Sequence, residues 1–131
     1  MNVAKKDYIN NWLFRANEDI EVIESLIKLD IAKYSSTICF HAQQAVEKYL
    51  KAFLVFSDID FQKTHDLDFL LGECQKVDNI HFNTFDFKSL TDYGVFVRYP
   101  DDFYIPDVAE TMEYAEMAIK TKNVITKLIK L

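Results

Sequence analysis

Glycine and proline are what this sequence most lacks: its 131 residues hold two of each, where average usage would give about 16 together. A turn-dense sandwich or barrel and a glycine-rich phosphate loop both need more, so both are set aside. Cysteine is as sparse. Cys39 and Cys74 lie in helix-like apolar patterns with no close-spaced Cys or His, so buried free thiols are expected rather than a disulfide or a metal site. No HExxH, CxxC, GKS/T or GxSxG run occurs, which removes zinc hydrolysis, P-loop chemistry and a serine elbow. No metal or cofactor is expected. Positive charge is short too: the net charge is -6, the wrong sign for a protein that follows a long nucleic-acid backbone. No window of about 18 uninterrupted apolar residues exists. The opening MNVAKKDYINNW has no apolar run behind its lysines, so a cytoplasmic protein with no membrane association is expected.

What is present is a core-forming helical pattern. Half of the residues are hydrophobic and 27% are charged, which suits a single domain over residues 1–131. From Asp7 to Leu29 apolar residues recur at Ile9, Trp12, Leu13, Ala16, Ile20, Ile23 and Ile27, one face of an amphipathic helix. A second helix is predicted from an N-cap at Ser35 or Ser36 to about Phe56. It is apolar on nearly every side, so it is either the central element or shares its second apolar face with another chain. The polar run SDIDFQKTHD leads to a third helix, capped by Thr64 or Asp66 and carrying Leu67, Phe69, Leu70, Leu71 and Cys74. The least periodic stretch holds a short helix around Phe87 to Tyr93, broken near Gly94, and a turn at Tyr99, Pro100, Asp101 and Asp102. Pro106 is placed at the first position of a final helix whose apolar face is Val108, Met112, Ala115, Ile119, Ile125 and Leu128. The predicted class is all-α, a four- to five-helix up-and-down antiparallel bundle.

Polar residues gather in three places. His41, Gln44, Lys48 and Lys51, flanked by Gln43 and Glu47, form a stripe on the most apolar helix. A solvated face explains the lysines, whose stems cover apolar neighbours. It does not explain His41 and the Gln43–Gln44 pair, which need partners where they are buried. Lys63, Thr64, His65 and Asp66 then collect a cation, a hydroxyl, an imidazole and a carboxylate at one turn. Capping accounts for Thr64 or Asp66 but not for His65. Arg98 lies among Tyr93, Phe96, Tyr99, Phe103 and Tyr104, where a guanidinium either stacks on a base and holds a phosphate or pairs with Asp101 or Asp102.

These residues together resemble the HEPN domain family, small helical domains named for nucleotide binding in higher eukaryotes and prokaryotes. The resemblance rests on Trp12, Ala16 and Asp19, on Tyr34 followed by CFHAQQAVEKYLKAFL, on KTHDL at Lys63 to Leu67, and on Tyr93 followed by RYP at Arg98 to Pro100. It implies a helical bundle that dimerises and pairs with a minimal nucleotidyltransferase, separate or fused, in prokaryotic toxin–antitoxin or defence modules. For many members it also implies a ribonuclease site in which an Arg is followed, after four to six residues, by a His. Arg98 matches the Arg, but Phe103, Tyr104 and Ile105 occupy the His positions. Metal-independent RNA cleavage needs a general base and a general acid near neutral pH, and a phenol of ordinary pKa, about 10, is a poor base. In relatives that receive nucleotides on a Tyr two residues beyond the His, the matching place here is Ile105, with Tyr104 one residue short.

The function expected is therefore binding of a nucleotide, of a nucleotidyltransferase partner, or of both, by a homodimer. The alternatives are a metal-independent ribonuclease toxin and a non-catalytic helical scaffold. The ligand-binding residues on this reading are His41, Gln44, Lys48, Lys51, Thr64, His65, Tyr93, Arg98, Tyr99 and Tyr104. Lys48, Lys51, His65 and Arg98 donate to phosphate, and the tyrosines flank the base.

Overall fold

The apolar repeat of the first thirty residues forms one long helix, α1 (Val3–Asp30), in a computed structural model that describes residues 1–96 and 104–131. Asn2 caps it, its side-chain oxygen accepting the Lys5 N–H at 2.8 Å, so the helix starts ahead of the Asp7 expected. The second helix, α2 (Ser35–Phe56), has Tyr34 at its N-cap and no side-chain cap. Ser35 is buried within it, which corrects the serine cap.

The far end of α2 closes with a left-handed residue, Asp58, at φ 59°. Its N–H bonds to the Val55 carbonyl at 3.1 Å and that of Ile59 to Leu54 at 2.9 Å, the paired bonds that usually accompany a glycine. Here the residue is an aspartate whose carboxylate meets Lys5 of α1 at 2.6 Å. The pairs Lys5–Asp58, Asn17–Tyr49 and Asp19–Lys48 run in opposite order along α1 and α2. The two helices are thus antiparallel, as their short connector requires.

Asp66 is the cap of α3 (Leu67–Val77), accepting the N–H groups of Asp68 and Phe69. Thr64 instead accepts the N–H of Asp66 at 3.1 Å. A single turn not anticipated from the sequence, α4 (Asn79–Phe82), follows. It seats Phe82 between Phe53 and Phe85, with ring centroids 5.0 and 5.4 Å away. A 3-10 turn at Leu90–Asp92 then enters α5 (Tyr93–Phe96). Gly94 lies inside α5 rather than breaking it. A Cβ at Gly94 would stand 2.9 Å from the side-chain carbon and oxygen of Gln43, so the glycine permits close approach to α2.

The last helix is α6 (Val108–Leu128), capped by the Asp107 carboxylate. Pro106 precedes that cap rather than occupying the first helical position. The buried face of α6 is Thr111, Tyr114, Ala115, Ala118, Thr121 and Ile125, while Val108 and Ile119 are exposed. Ala115 and Ile125 are buried as expected and Leu128 packs against the core, but Thr111, Tyr114, Ala118 and Thr121 are buried where Val108 and Ile119 were expected. The cause is chemical: the hydroxyls of Thr111 and Thr121 donate to the carbonyls of Asp107 and Met117 at 2.8 Å each. Satisfied within the helix, they are buried as methyl groups would be.

The helix α6 runs along α2 in the same direction. Cys39 meets Thr111 near one end, and Phe53, Phe82, Phe85 and Lys120 form a chain of contacts near the other. Ile38, Ala42, Ala45, Val46, Leu50 and Leu54 of α2 are fully buried, each larger side chain contributing about 1.5–3 kcal/mol. Of the two expectations for α2, the central element is the one seen. The apolar residues of α2 named above are covered within this chain. The result is an all-α bundle, with no strand among the described residues. Both cysteines are buried free thiols, and burial pushes Cys39 up to about 11 and Cys74 up as well. Among the described residues no helix is long and apolar enough to cross a membrane.

Candidate functional site

A charged residue on the buried phase of a helix has to find a partner, and Asp19 and Glu47 are in that position, 6% and 4% exposed. Each carboxylate holds one histidine and one lysine. Asp19 meets Nδ1 of His41 at 2.8 Å with one oxygen and accepts from Nζ of Lys48 at 2.7 Å with the other. Glu47 meets Nδ1 of His65 at 2.9 Å and accepts from Nζ of Lys51 at 3.1 Å. An ionised carboxylate only accepts, so Nδ1 carries the hydrogen in both pairs. The ring Nε2 of each histidine has no hydrogen-bond partner among the described residues.

Amide side chains extend the network. Gln43 donates through Nε2 to Glu47 and to the main-chain carbonyl of His65, at 3.2 Å each. Gln44 in turn donates to Oε1 of Gln43 at 2.7 Å. His65 is therefore held by its backbone and by its ring. Gly94 closes against the same Gln43 side chain, so α5 packs on this network from behind. Near Asp19, the hydroxyl of Tyr49 donates to Asn17 at 2.5 Å, and burial together with the Asp19 charge raises that phenol.

The structure thus brings His41, Gln44, Lys48, Lys51 and His65 to one face of α2, with Thr64 beside His65 as a turn acceptor. Two of the expected ligand residues do not serve as expected. Lys51 is 5% exposed, and its ammonium lies 5.5 Å from the Trp12 ring centroid and 5.9 Å from that of Phe61. Glu47 and the ring faces take up its charge, so it is a buried ion-pair partner rather than a phosphate donor. Tyr93 is 4% exposed, packs on Tyr114 at 5.3 Å and donates to Glu110 at 2.5 Å. A ring so enclosed does not flank a base, and burial and Glu110 push its phenol well up.

Tyr104 is exposed and reaches the other oxygen of Glu110 at 3.4 Å. The Glu110 charge raises its phenol, which makes it a still poorer base in the place of the absent His. Arg98 and Tyr99, with the turn expected at Tyr99 to Asp102, lie outside the described residues.

Sequence reasoning did not place Asp19 and Glu47 among the ligand residues, although they organise the whole face. The available signal was their register, since Asp19 follows buried Ala16 by one turn and Glu47 lies one turn from both buried Gln43 and buried Leu50. A separate cleft of about 370 Å³ opens at the C-terminal end of α2, lined by Lys5, Tyr8, Val55, Asp58, Ile59, Asp60 and Phe61. Its lysine is already paired with Asp58, so it is poorly suited to an anion. Among the described residues no group of three His, Cys, Asp or Glu side chains is placed to hold a metal ion.

The HEPN domain family model matches residues 9–131, which include both carboxylates and both histidines. No curated protein and no solved structure gives a match.

Proposed function

Given that the chain belongs to the HEPN domain family, we propose that it binds a nucleotide on the polar face of α2. On the same reading it is the partner of a minimal nucleotidyltransferase in a prokaryotic toxin–antitoxin or defence-type module, working in the cytoplasm as a homodimer. The observation that carries the ligand half is the pair of buried carboxylates, Asp19 and Glu47, each fixing an imidazole through Nδ1. A ring already held in place loses little conformational freedom when a phosphate oxygen arrives. A net charge of -6 disfavours binding along a long nucleic acid, which favours a small anion as the ligand.

Calorimetric titration with ATP, GTP and AMP tests the ligand half. Saturable binding is expected, weakened tenfold or more in a His41→Ala, His65→Ala double variant, because charge-assisted bonds contribute about 1.5–3 kcal/mol each. No binding heat with any of the three rejects it. Co-expression with a nucleotidyltransferase encoded beside it, followed by size-exclusion and intact mass, tests the partner half. Co-elution supports that half, and separate elution of the two chains rejects it.

A further inference from the structure

We propose that the phosphates of the bound nucleotide are taken by Nε2 of His65 and of His41, not by the lysines, and that the imidazoles take up protons as the ligand binds. This deepens the nucleotide-binding reading above and rests on it. The lysines are already engaged. The Lys51 side chain is 7% exposed against Glu47, and that of Lys48 is 21% exposed against Asp19. Each ammonium and its carboxylate cancel in charge, so with neutral imidazoles this face carries no net attraction for an anion. The histidines are what remain, their side chains 66% and 24% exposed for His65 and His41.

Each ring has Nδ1 occupied by a carboxylate, so in the neutral ring Nε2 is an acceptor and faces a phosphate oxygen lone pair to lone pair. Protonation turns that nitrogen into a donor and gives the ring a positive charge. Imidazole is the side chain whose charge changes between about pH 5 and 8. A phosphate placed against Nε2 favours the charged form of the ring. Ligand binding and proton uptake are therefore linked, each promoting the other.

The charged groups around His65 are Glu47 and Lys51 of α2, with Lys63 and Asp66 in its own connector and Asp68 at the start of α3. Around His41 they are Asp19 of α1 and Lys48 of α2. No hydrogen bond or ion pair among the described residues links either ring to α6. His41 and Glu47, which holds His65, are six residues apart, about 9 Å of helix axis, with Gln44 midway. A ligand with more than one phosphate group suits two donors spaced along the helix in this way, and a nucleoside di- or triphosphate is the ligand we assign.

Titration calorimetry of the whole chain with ATP and with AMP, just above neutral pH and in buffers of low and high ionisation enthalpy, reads the protons exchanged. The expected result is net uptake with ATP, less with AMP, and an ATP affinity that falls by up to about tenfold per pH unit for each linked proton. The variant His65→Gln keeps a donor at the surface but cannot take the proton. It is expected to bind ATP with reduced uptake and a flatter pH profile, its fold checked by circular dichroism. Binding that shows no buffer dependence overturns the inference and leaves nucleotide binding standing. Full uptake in His65→Gln overturns the assignment to His65, and equal affinity and uptake for AMP and ATP overturn the polyphosphate. No binding between about pH 5.5 and 8 overturns the nucleotide reading itself.

Discussion

The centres at Asp19 and Glu47 hold the same three groups, a carboxylate, an imidazole and an ammonium, and distribute them differently between protein and water. Asp19 reaches from α1 to two residues of α2, and the side chains of His41 and Lys48 are similarly open, 24% and 21% exposed. Glu47 takes Lys51 from one turn along its own helix and His65 from the connector before α3, with exposures of 7% and 66%. Burial is even in the first centre and polarised in the second. On an exposed helix a pair spaced like Glu47 and Lys51 contributes about 0.3–0.5 kcal/mol. Covered by Trp12 and Phe61, the same pair becomes one whose members cannot be removed singly without leaving a dry charge. The Glu47 centre thus divides into a structural half and an accessible half, and the Asp19 centre does not.

The strongest attempt to break that contrast is to neutralise each carboxylate in turn. Glu47→Gln strands the buried Lys51 ammonium and is expected to lower the unfolding free energy by about 3–5 kcal/mol. Asp19→Asn leaves Lys48 able to reach water, and a loss of about 1–2 kcal/mol is expected. Chemical denaturation of the two variants gives both values side by side. Equal losses would mean that exposure does not separate the centres.

A smaller effect sharpens the contrast by acting on Gln43, which only the Glu47 centre uses directly. In Gly94→Ala the new methyl group meets the Gln43 side chain at 2.9 Å, and forcing it aside costs about 1–3 kcal/mol. A methyl group added at Gly72 in α3 would meet nothing within 4 Å, so Gly72→Ala is expected to stabilise the helix by up to about 1 kcal/mol. Thermal melts of the pair should move in opposite directions. If both rise, the Gln43 contact is soft and α5 does not brace the site.

Alkaline pH probes the Asp19 side, through Tyr49, and the α2–α6 contact, through Cys39. Burial and the Asp19 charge raise the Tyr49 phenol, and burial lifts Cys39 from 9.0 to about 11. The folded chain holds these protons after the unfolded chain has released them, so their contribution is complete below the unfolded values and is lost as pH rises through the folded ones. The denaturation midpoint is expected to be level up to pH 9.0, the ordinary thiol value, and to fall beyond it. Tyr49→Phe should flatten part of that fall. A wild-type midpoint that holds level up to about 11 would refute it.

How far the sequence reveals this arrangement depends on what a linear pattern can record. The helices α1, α2 and α3 follow from apolar spacing and, for α3, from an aspartate cap. A single turn such as α4 has no period to detect and exists because Phe82 fills a gap between other rings. Part of the buried face of α6 is hidden by Thr111 and Thr121, which count as polar until their hydroxyls are seen to bond within the helix. At the site, His41, Lys48 and Lys51 stand out against apolar neighbours, and His65 stands out as the member of its polar turn that capping does not explain. Their carboxylates do not, because Asp19 lies among polar residues and Glu47 resembles an ordinary surface partner of Lys51. Only the packing of α1 and Phe61 over α2 decides which charges are dry.

The smallest effect lies where the connector that carries His65 leaves α2. Asp58 adopts a left-handed conformation that glycine adopts without strain, and its compensation is the ion pair with Lys5, whose aspartate is 80% exposed. An exposed pair of this kind contributes about 0–1 kcal/mol, while the left-handed backbone costs a non-glycine residue about 1–2 kcal/mol. Asp58→Gly is therefore expected to stabilise the chain slightly, by less than about 1 kcal/mol, in denaturant titration at moderate salt. The bonds from Ile59 to Leu54 and from Asp58 to Val55 do not need the carboxylate, so the connector should start in the same place and the Glu47–His65 bond should persist. An NMR titration of His65 that is unchanged by Asp58→Gly would show that the accessible half of the Glu47 centre is set locally, by Gln43 and Glu47. A shifted titration would show instead that the ring depends on how the whole connector is anchored, and the division of that centre into two halves would have to be abandoned.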